Sequence, residues 1–365
     1  MKIGILGTRG IPNHHGGFEQ FAESLAVYLV GKGHIVHVYN SSTHPFQQKL
    51  FKGVNIVHCF DPEIRIGTIG QFIYDLNCIM DAKQRKFDIL LQLGYTSNSI
   101  WGFLLPKRSI IVTNMDGLEW KRKKYNNTIK SFLRFAEKLA VKRSDYLIAD
   151  SIGIKNYLKR KYNASSKYIA YGSNLFEKPD ESILKIYDVK IHRYNLLIAR
   201  FEPENNFEII LDGFVKSESR NIFLVIGNHD KNKYGKFLKS KYKKNTNILF
   251  LGGIYDTNHL DNLRYFSNLY FHGHSVGGTN PSLIEAMSSN ALIIAHDNEF
   301  NKSILKQDGF YFKNTDDIEN IIKRIDKRDF LFKIDSNLNK IKSYYNTSNI
   351  NKEYLTFFNE CQRKY

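Results

Sequence analysis

Two alternating hydrophobic patterns run the length of the chain. Short apolar runs rich in β-branched and aromatic residues are separated by stretches in which apolar residues recur every three or four positions. The runs predict strands at Lys2–Leu6, Ile35–Tyr39, Val54–His58, Phe87–Leu93, Ser109–Thr113, Tyr146–Ala149 and Tyr168–Ala170 in the first half. In the second half they predict strands at Leu196–Ala199, Ile222–Ile226, Ile248–Leu251, Leu269–His272 and Leu292–Ala295. Continuous apolar strands separated by helices imply parallel sheets covered on both faces. The first helix is the plainest. Phe18, Phe21, Ala22, Leu25, Ala26 and Leu29 fall on one stripe, and Gly31 and Gly33 end it. Strand, glycine-bearing turn, helix and second strand make a βαβ unit at the start, and a similar unit begins near Leu196.

The 365 residues suffice for two domains with separate cores. We expect an α/β fold of two Rossmann-like parallel-sheet domains facing each other across a cleft. Residues 1–180 form the acceptor-side domain in this reading and 181–344 the nucleotide-sugar domain. A C-terminal helix over 345–365 packs back on the first domain through Tyr354, Phe357, Phe358 and Cys361. The polar segment Leu175–Arg193, with Pro179, reads as the linker. Open α/β sheets bind ligands beyond the carboxyl ends of their strands, which puts the expected site in the loops that follow them.

Charge changes the picture more than composition does. The apolar content of 42% is ordinary, but the formal net charge is +17. Such a field attracts polyanions: nucleic acid, an anionic membrane face or phosphorylated substrates. Lys121-Arg122-Lys123-Lys124 opens a basic stretch that continues through Lys130, Arg134, Lys138, Lys142 and Arg143, with Glu137 its one acid. Phe132, Leu133, Phe135, Ala136, Leu139 and Ala140 interleave at helical spacing, a pattern suited either to a solvated face or to an anionic leaflet. A second basic run spans Lys231 to Lys244. No nucleic-acid partner is expected, because no RNP-like, zinc-finger or helix-turn-helix pattern occurs. Cys59, Cys78 and Cys361 are too scattered for a disulfide framework or a zinc site, which favours a reducing compartment. The opening apolar run is too short for a signal peptide, and no stretch is long enough to span a bilayer. The expected location is the cytoplasm or, peripherally, the inner face of the cell membrane.

Four segments carry candidate chemistry. His272 to Met287 runs from a strand through Gly277, Gly278, Thr279 and Asn280 into a helix beginning near Pro281. Its open amides and helix N-terminus suit a phosphate, and Glu285, one turn in, suits sugar or ribose hydroxyls. The same segment also reads as a plain strand-to-helix turn. Leu196 to Asn206 places Arg200 after a strand, as a bidentate diphosphate ligand or as a surface arginine. Gly7-Thr8-Arg9-Gly10-Ile11-Pro12 followed by Gly16-Gly17-Phe18-Glu19 opens the first helix with backbone exposed to a ligand. Asn114 to Arg122 gathers Asp116, Glu119, Trp120 and Arg122 after another strand, though an Asp-Gly pair is often only a turn. The Gly4/Gly7/Gly10 spacing is a dinucleotide cue, yet the second strand ends in Tyr39-Asn40 without the acid that holds a nicotinamide-cofactor ribose.

The His272–Met287 segment resembles the donor-binding motif of family-4 glycosyltransferases, retaining enzymes of the GT-B fold. That motif has two glutamates eight positions apart, the second followed by Ala-Met. Glu285-Ala286-Met287 fits the second, and Gly277 stands in place of the first. The run Gly273-His274-Ser275-Val276-Gly277-Gly278-Thr279-Asn280-Pro281 and the two N-terminal segments resemble a bacterial rhamnosyltransferase-like subgroup of surface-polysaccharide biosynthesis. By this resemblance Arg200 neutralises the diphosphate, while Asn205 or Asn206 stands in place of the usual second cation, a lysine. Gly16, Gly17, Glu19, Gly253, Ile254, Tyr255 and Gly277 to Pro281 contact the donor; Gly227-Asn228-His229 is a candidate lining of the base pocket, and both it and the Phe250–Tyr255 loop also read as plain turns. Asp116, Arg200 and Glu285 form the catalytic set, and Glu119, Trp120 and Arg122 lie on the acceptor side. The resemblance implies a nucleotide-sugar donor, a saccharide or polyprenyl-linked acceptor, retention at the anomeric carbon and no cofactor. No Asp-x-Asp pair is present, so charge neutralisation by the protein without a metal ion is expected. A nucleotide-sugar 2-epimerase, a basic nucleic-acid-binding protein and a lectin-like relative remain as alternatives.

Overall fold

The computed structural model describes residues 1–14, 16–122 and 125–364. It divides into two compact units. The first contains Met1–Lys121, Tyr125–Gly172 and Thr347–Tyr365, and the second contains Arg122–Lys124 and Ser173–Asn346. Lys123 and Lys124 of the first basic run lie outside the described residues.

The first unit is built on an eight-stranded sheet. Its strands are β1 (Lys2–Leu6), β2 (Ile35–Ser41), β3 (Leu50–Phe51), β4 (Val54–Cys59), β5 (Ile89–Leu93), β6 (Ile110–Asn114), β7 (Tyr146–Ala149) and β8 (Lys167–Tyr168). They lie in the order β3-β4-β2-β1-β5-β6-β7-β8. All pairings are parallel except β3 with β4, a hairpin turned by Lys52 and Gly53, both at positive φ. The stripe of the first helix, Gly17–Gly31, buries Phe21, Ala22, Leu25, Ala26 and Leu29. The last helix, Thr347–Lys364, belongs to this unit and buries Tyr354, Phe357, Phe358 and Cys361. Asn114 Nδ2 donates to Tyr354 Oη, and Asn351 Nδ2 to Ser24 Oγ, which fixes that helix against the sheet and the first helix.

The second unit holds a six-stranded, all-parallel sheet: β9 (Tyr194–Ile198), β10 (Ile222–Ile226), β11 (Ile248–Gly252), β12 (Leu269–His272), β13 (Ile293–His296) and β14 (Phe310–Phe312). Its order is β11-β10-β9-β12-β13-β14. Leu197, Phe223, Val225, Phe271 and Ile294 pack with Phe207, Ile210 and Phe214 of the helix Phe207–Lys216 to form its core. The segment read as a linker is partly structured. Asp180 caps a 3-10 turn at Glu181–Tyr187 in which Ile183 and Leu184 are buried. Each sheet has one place where strand order reverses: between β1 and β5 in the first unit, and between β9 and β12 in the second. In open α/β sheets such a reversal is where the loops leaving the two central strands diverge and where ligands bind. Among the described residues no helix is long and apolar enough to cross a membrane.

Candidate functional site

At the reversal point of the second sheet, β9 runs into Ala199–Asn206 and β12 into Gly273–Asn280. The sequence places these loops some seventy residues apart, and the fold ties them together. The Glu204 carbonyl accepts both the Ser275 N–H (3.0 Å) and its hydroxyl (2.8 Å). Asn206 Nδ2 donates to the Gly273 carbonyl at 2.7 Å, and Asn205 Nδ2 to the Arg200 carbonyl at 2.7 Å. Asn205 and Asn206, which stand where the family resemblance expects a lysine, therefore serve as loop braces. A Cβ on Gly273 would sit 1.9 Å from the Asn205 carbonyl oxygen, so only glycine allows this approach.

The electrostatics of the crevice are set by burial. The His272 and His274 rings stack 4.4 Å apart. Burial pushes the His272 pKa down to about 3. Burial, reinforced by His272, Arg200 and Arg122, holds His274 well below the usual histidine range. Both imidazoles are therefore neutral at pH 7, and the positive charge comes from Arg122 and from Arg200, which is exposed. Arg200 leaves β9 on the loop that is hydrogen-bonded to Gly273 and Ser275. Arg122, expected from the sequence on the acceptor side, groups with the second unit. It lies 3.9 Å from the buried Glu204 carboxylate, and its charge also acts on His274. Glu204 carries no signal in the sequence: its carboxylate is 4% exposed and has no hydrogen-bond partner among the described residues.

Gly277 has φ +141° and open space where a Cβ would stand. Asn280 caps the helix Pro281–Ser288, its Oδ1 accepting the Ser282 N–H at 3.1 Å. With His274, Gly277, Gly278 and Asn280, the side chains of Asn298 and Asn301 line a small depression. The two asparagines donate to the His274 carbonyl and hold the loop from below (3.0 and 3.1 Å). Glu285 is fixed by a residue the sequence reading missed. Buried Arg264 donates to its Oε2 at 2.6 Å and to Asp261 at 2.8 Å. The only hint in the sequence is the i, i+3 spacing of Asp261 and Arg264. On the other side of β9, Gly253 approaches Asn228, whose Nδ2 donates to the Tyr255 hydroxyl at 2.6 Å. Gly253, Ile254 and Tyr255 thus form one rim with Asn228, and Gly227 packs on the Ala199 carbonyl.

The remaining sequence candidates lie in the first unit. Glu19 is buried and accepts the Arg9 N–H at 3.0 Å, while the Gly16 N–H is taken by Asn13 Oδ1. Glu19 therefore braces the Gly7–Gly17 loop, with Gly17 opening the helix. Asp116 has φ +46°, and its carboxylate accepts the Tyr171 hydroxyl at 3.4 Å. Glu119 and Trp120 sit in a 3-10 turn, Glu119–Lys121. The Trp120 indole N–H donates to buried Glu137 at 3.2 Å, and Arg134 and Lys161 flank its ring at 4.6 and 5.4 Å. Trp120 is thereby pinned into its own unit.

Residues 1–174 match a family model described as a domain of unknown function, DUF1972, and residues 190–328 match one described as glycosyl transferases group 1. A sequence search of curated proteins finds no match. Among solved structures, sucrose-phosphate synthase from Thermosynechococcus elongatus superimposes with a TM-score of 0.78 at 13% identity, covering 100% of each chain. HepE of Anabaena, solved with UDP and glucose, gives 0.77 at 17% identity over 99% of this chain and 100% of the other. Trehalose 6-phosphate synthase from Burkholderia multivorans gives 0.73 at 9% identity over 98% and 96%. The fold is the GT-B fold of glycosyltransferases.

Proposed function

We propose that the chain is a glycosyltransferase that moves a sugar from a nucleoside-diphosphate donor, held by the second unit, to a saccharide or lipid-linked saccharide acceptor. One observation carries the reading. At the strand-order reversal of the second sheet, the loop that carries Arg200 is hydrogen-bonded to the loop that leads into the amide-rich Gly277–Pro281 turn, and Glu285 in the following helix is held by Arg264. The match of residues 190–328 to glycosyl transferases group 1, and the UDP-type ligands of HepE, support the same reading.

In this mechanism Arg200 and the loop amides neutralise the diphosphate as negative charge builds on it in the transition state. Preset donors of this kind are worth about 2.7–4 kcal/mol each. The helix N-terminus at Pro281 adds its partial positive charge. Neutral His274 offers hydrogen bonds without a competing charge. Glu285, oriented by Arg264, takes donor hydroxyls. The leaving diphosphate assists attack from its own face, which gives retention, and protein donors suffice without a metal ion. By subgroup resemblance the sugar is rhamnose, the acceptor a polysaccharide intermediate and the setting an anionic membrane face. Asp116 and Glu119 of the first unit are the acceptor-side candidates.

The test is a thermal-shift panel of nucleoside diphosphates and nucleotide sugars in the presence of EDTA. A matching nucleotide at saturating concentration should raise the transition by several degrees. Arg200→Ala should remove that rise and lower kcat/KM about 100-fold or more. No stabilisation by any nucleotide would sink the proposal. Anomeric proton NMR of the product decides retention, and epimerised sugar formed without acceptor would favour the epimerase alternative.

A further inference from the structure

The basic helix read from the sequence does not present its main apolar side to solvent. In Asn127–Arg143, Leu133, Ala136 and Ala140 are buried in the first unit. A second row, Ile129, Phe132 and Phe135, runs along the outside, and Phe135 is 55% exposed. Phe132 meets Phe72 of the neighbouring helix Ile69–Arg85 with ring centroids 5.8 Å apart, and Gly102 rests on the aliphatic stem of Arg143. At the start of that neighbouring helix, the stretch Ile64-Arg65-Ile66-Gly67-Thr68-Ile69 projects three isoleucines, 80%, 47% and 67% exposed. Apolar side chains so exposed and so close in sequence are unusual on a soluble surface.

The charge around them has one sign. Arg65, Arg108, Lys130, Lys138, Lys142 and Arg143 have no carboxylate partner among the described residues. The acids on these segments are spoken for: Glu63 holds Arg9 through a bidentate pair, Asp61 is buried, and Glu137 is enclosed by Tyr157, Tyr162 and Lys161. The second basic run differs, because Lys241 is paired with Glu208 and Asp212.

We propose that this face of the first unit, with Ile64, Ile66 and Ile69 as the inserting residues and the helix Asn127–Arg143 as the cationic flank, docks on a bilayer containing anionic phospholipid. Isoleucines enter the acyl boundary while lysines and arginines meet phosphates. A second copy of the chain fits poorly, because a two-fold contact would set this cationic face against itself. Nucleic acid would leave the isoleucines without a role. The inference deepens the membrane part of the proposed function and does not depend on which donor the second unit takes.

The intact chain should sediment with vesicles of phosphatidylcholine and phosphatidylglycerol at low salt, and only weakly with phosphatidylcholine alone. Lys138→Ala with Lys142→Ala should lower partitioning about 25-fold, at about five-fold per cation removed. Ile64→Ser/Ile66→Ser/Ile69→Ser should lower it by about ten-fold or more, with most of that loss persisting at moderate salt. Both variants should keep the far-UV circular dichroism and the nucleotide-induced thermal shift, so a failed donor reading and a failed docking surface remain distinguishable. Three results would overturn the proposal. One is no binding of the unaltered chain to anionic vesicles at either salt concentration. The second is unchanged binding by the isoleucine variant. The third is a dimer of the unaltered chain that the isoleucine variant dissolves, which would assign the face to a second copy.

Discussion

At the residue scale, the candidate site rests on side chains whose roles differ in how plainly their sequence announces them. Glu285 is legible from its place after a glycine turn. Arg264 is not, because an arginine on a polar helix ordinarily reads as solvated, and only the fold carries it to 3% exposure beneath Glu285. Removing one partner of such a buried pair leaves the other charge uncompensated, at a cost of about 3–5 kcal/mol when burial is complete. Glu285 is itself 22% exposed, so a smaller loss of about 2–3 kcal/mol is expected for Arg264→Gln by denaturant unfolding. Donor kcat/KM should fall with it. In a double-mutant cycle with Glu285→Gln the two losses should overlap rather than add. Strict additivity would mean that Arg264 acts only on stability. Gly277 makes a second case. Its φ of +141° disfavours any Cβ whatever the room around it. Gly277→Ala should therefore weaken nucleotide binding while costing only about 1–2 kcal/mol of stability. An unaltered donor KM would remove the 277–281 turn from the site.

At the element scale, the long periodic segments were readable and the short ones were not. β1, β7 and β12 coincide with their apolar runs, because a strand buried on both faces needs no alternation to be seen. The hairpin strand Leu50–Phe51 and the edge strand Phe310–Phe312 have two and three residues, too few to show any period. The basic stretch from Lys121 is legible as helical, although the helix begins only at Asn127, and its single acid gives no sign of its task. Glu137 is 1% exposed and accepts from Tyr157 (2.7 Å), Tyr162 (2.6 Å), Lys161 (3.2 Å) and Trp120 (3.2 Å). Those donors come from the following helix, Ile152–Tyr162, and from the Glu119–Lys121 turn, so one carboxylate joins three elements. Glu137→Ala strands two phenols, an indole and an ammonium group at once. It should cost about 3 kcal/mol or more and quench-shift Trp120 fluorescence toward that of an exposed indole. Native stability in that variant would show that the surrounding hydroxyls find water without penalty.

At the scale of the whole molecule, the two units carry opposite pH responses that no local pattern in the sequence discloses. In the first unit, Asp75 is buried with Ser97 donating to it, and burial raises its pKa to about 7 from 3.8. Between those values the folded unit keeps a proton that the unfolded chain releases. Its stability therefore falls as pH rises, by up to about 1.4 kcal/mol per pH unit, and levels off above pH 7. In the second unit, Lys327 is buried with its ammonium donating to the Tyr265 carbonyl, and burial lowers its pKa to about 7 from 10.5. Here the unfolded chain holds the extra proton between pH 7 and 10.5, so stability rises with pH across that window. Below pH 7 the whole penalty for a buried cation applies. Two variants separate these responses. Asp75→Asn should flatten the decline from pH 4 to 7 and leave the alkaline rise intact. Lys327→Met should stabilise the chain at neutral pH and abolish that rise. Denaturant unfolding across pH measures both slopes, and hydrogen exchange on the intact chain assigns each to the first or the second unit. A change by either variant in the slope belonging to the other unit would show that the two burials are not independent features of separately formed cores.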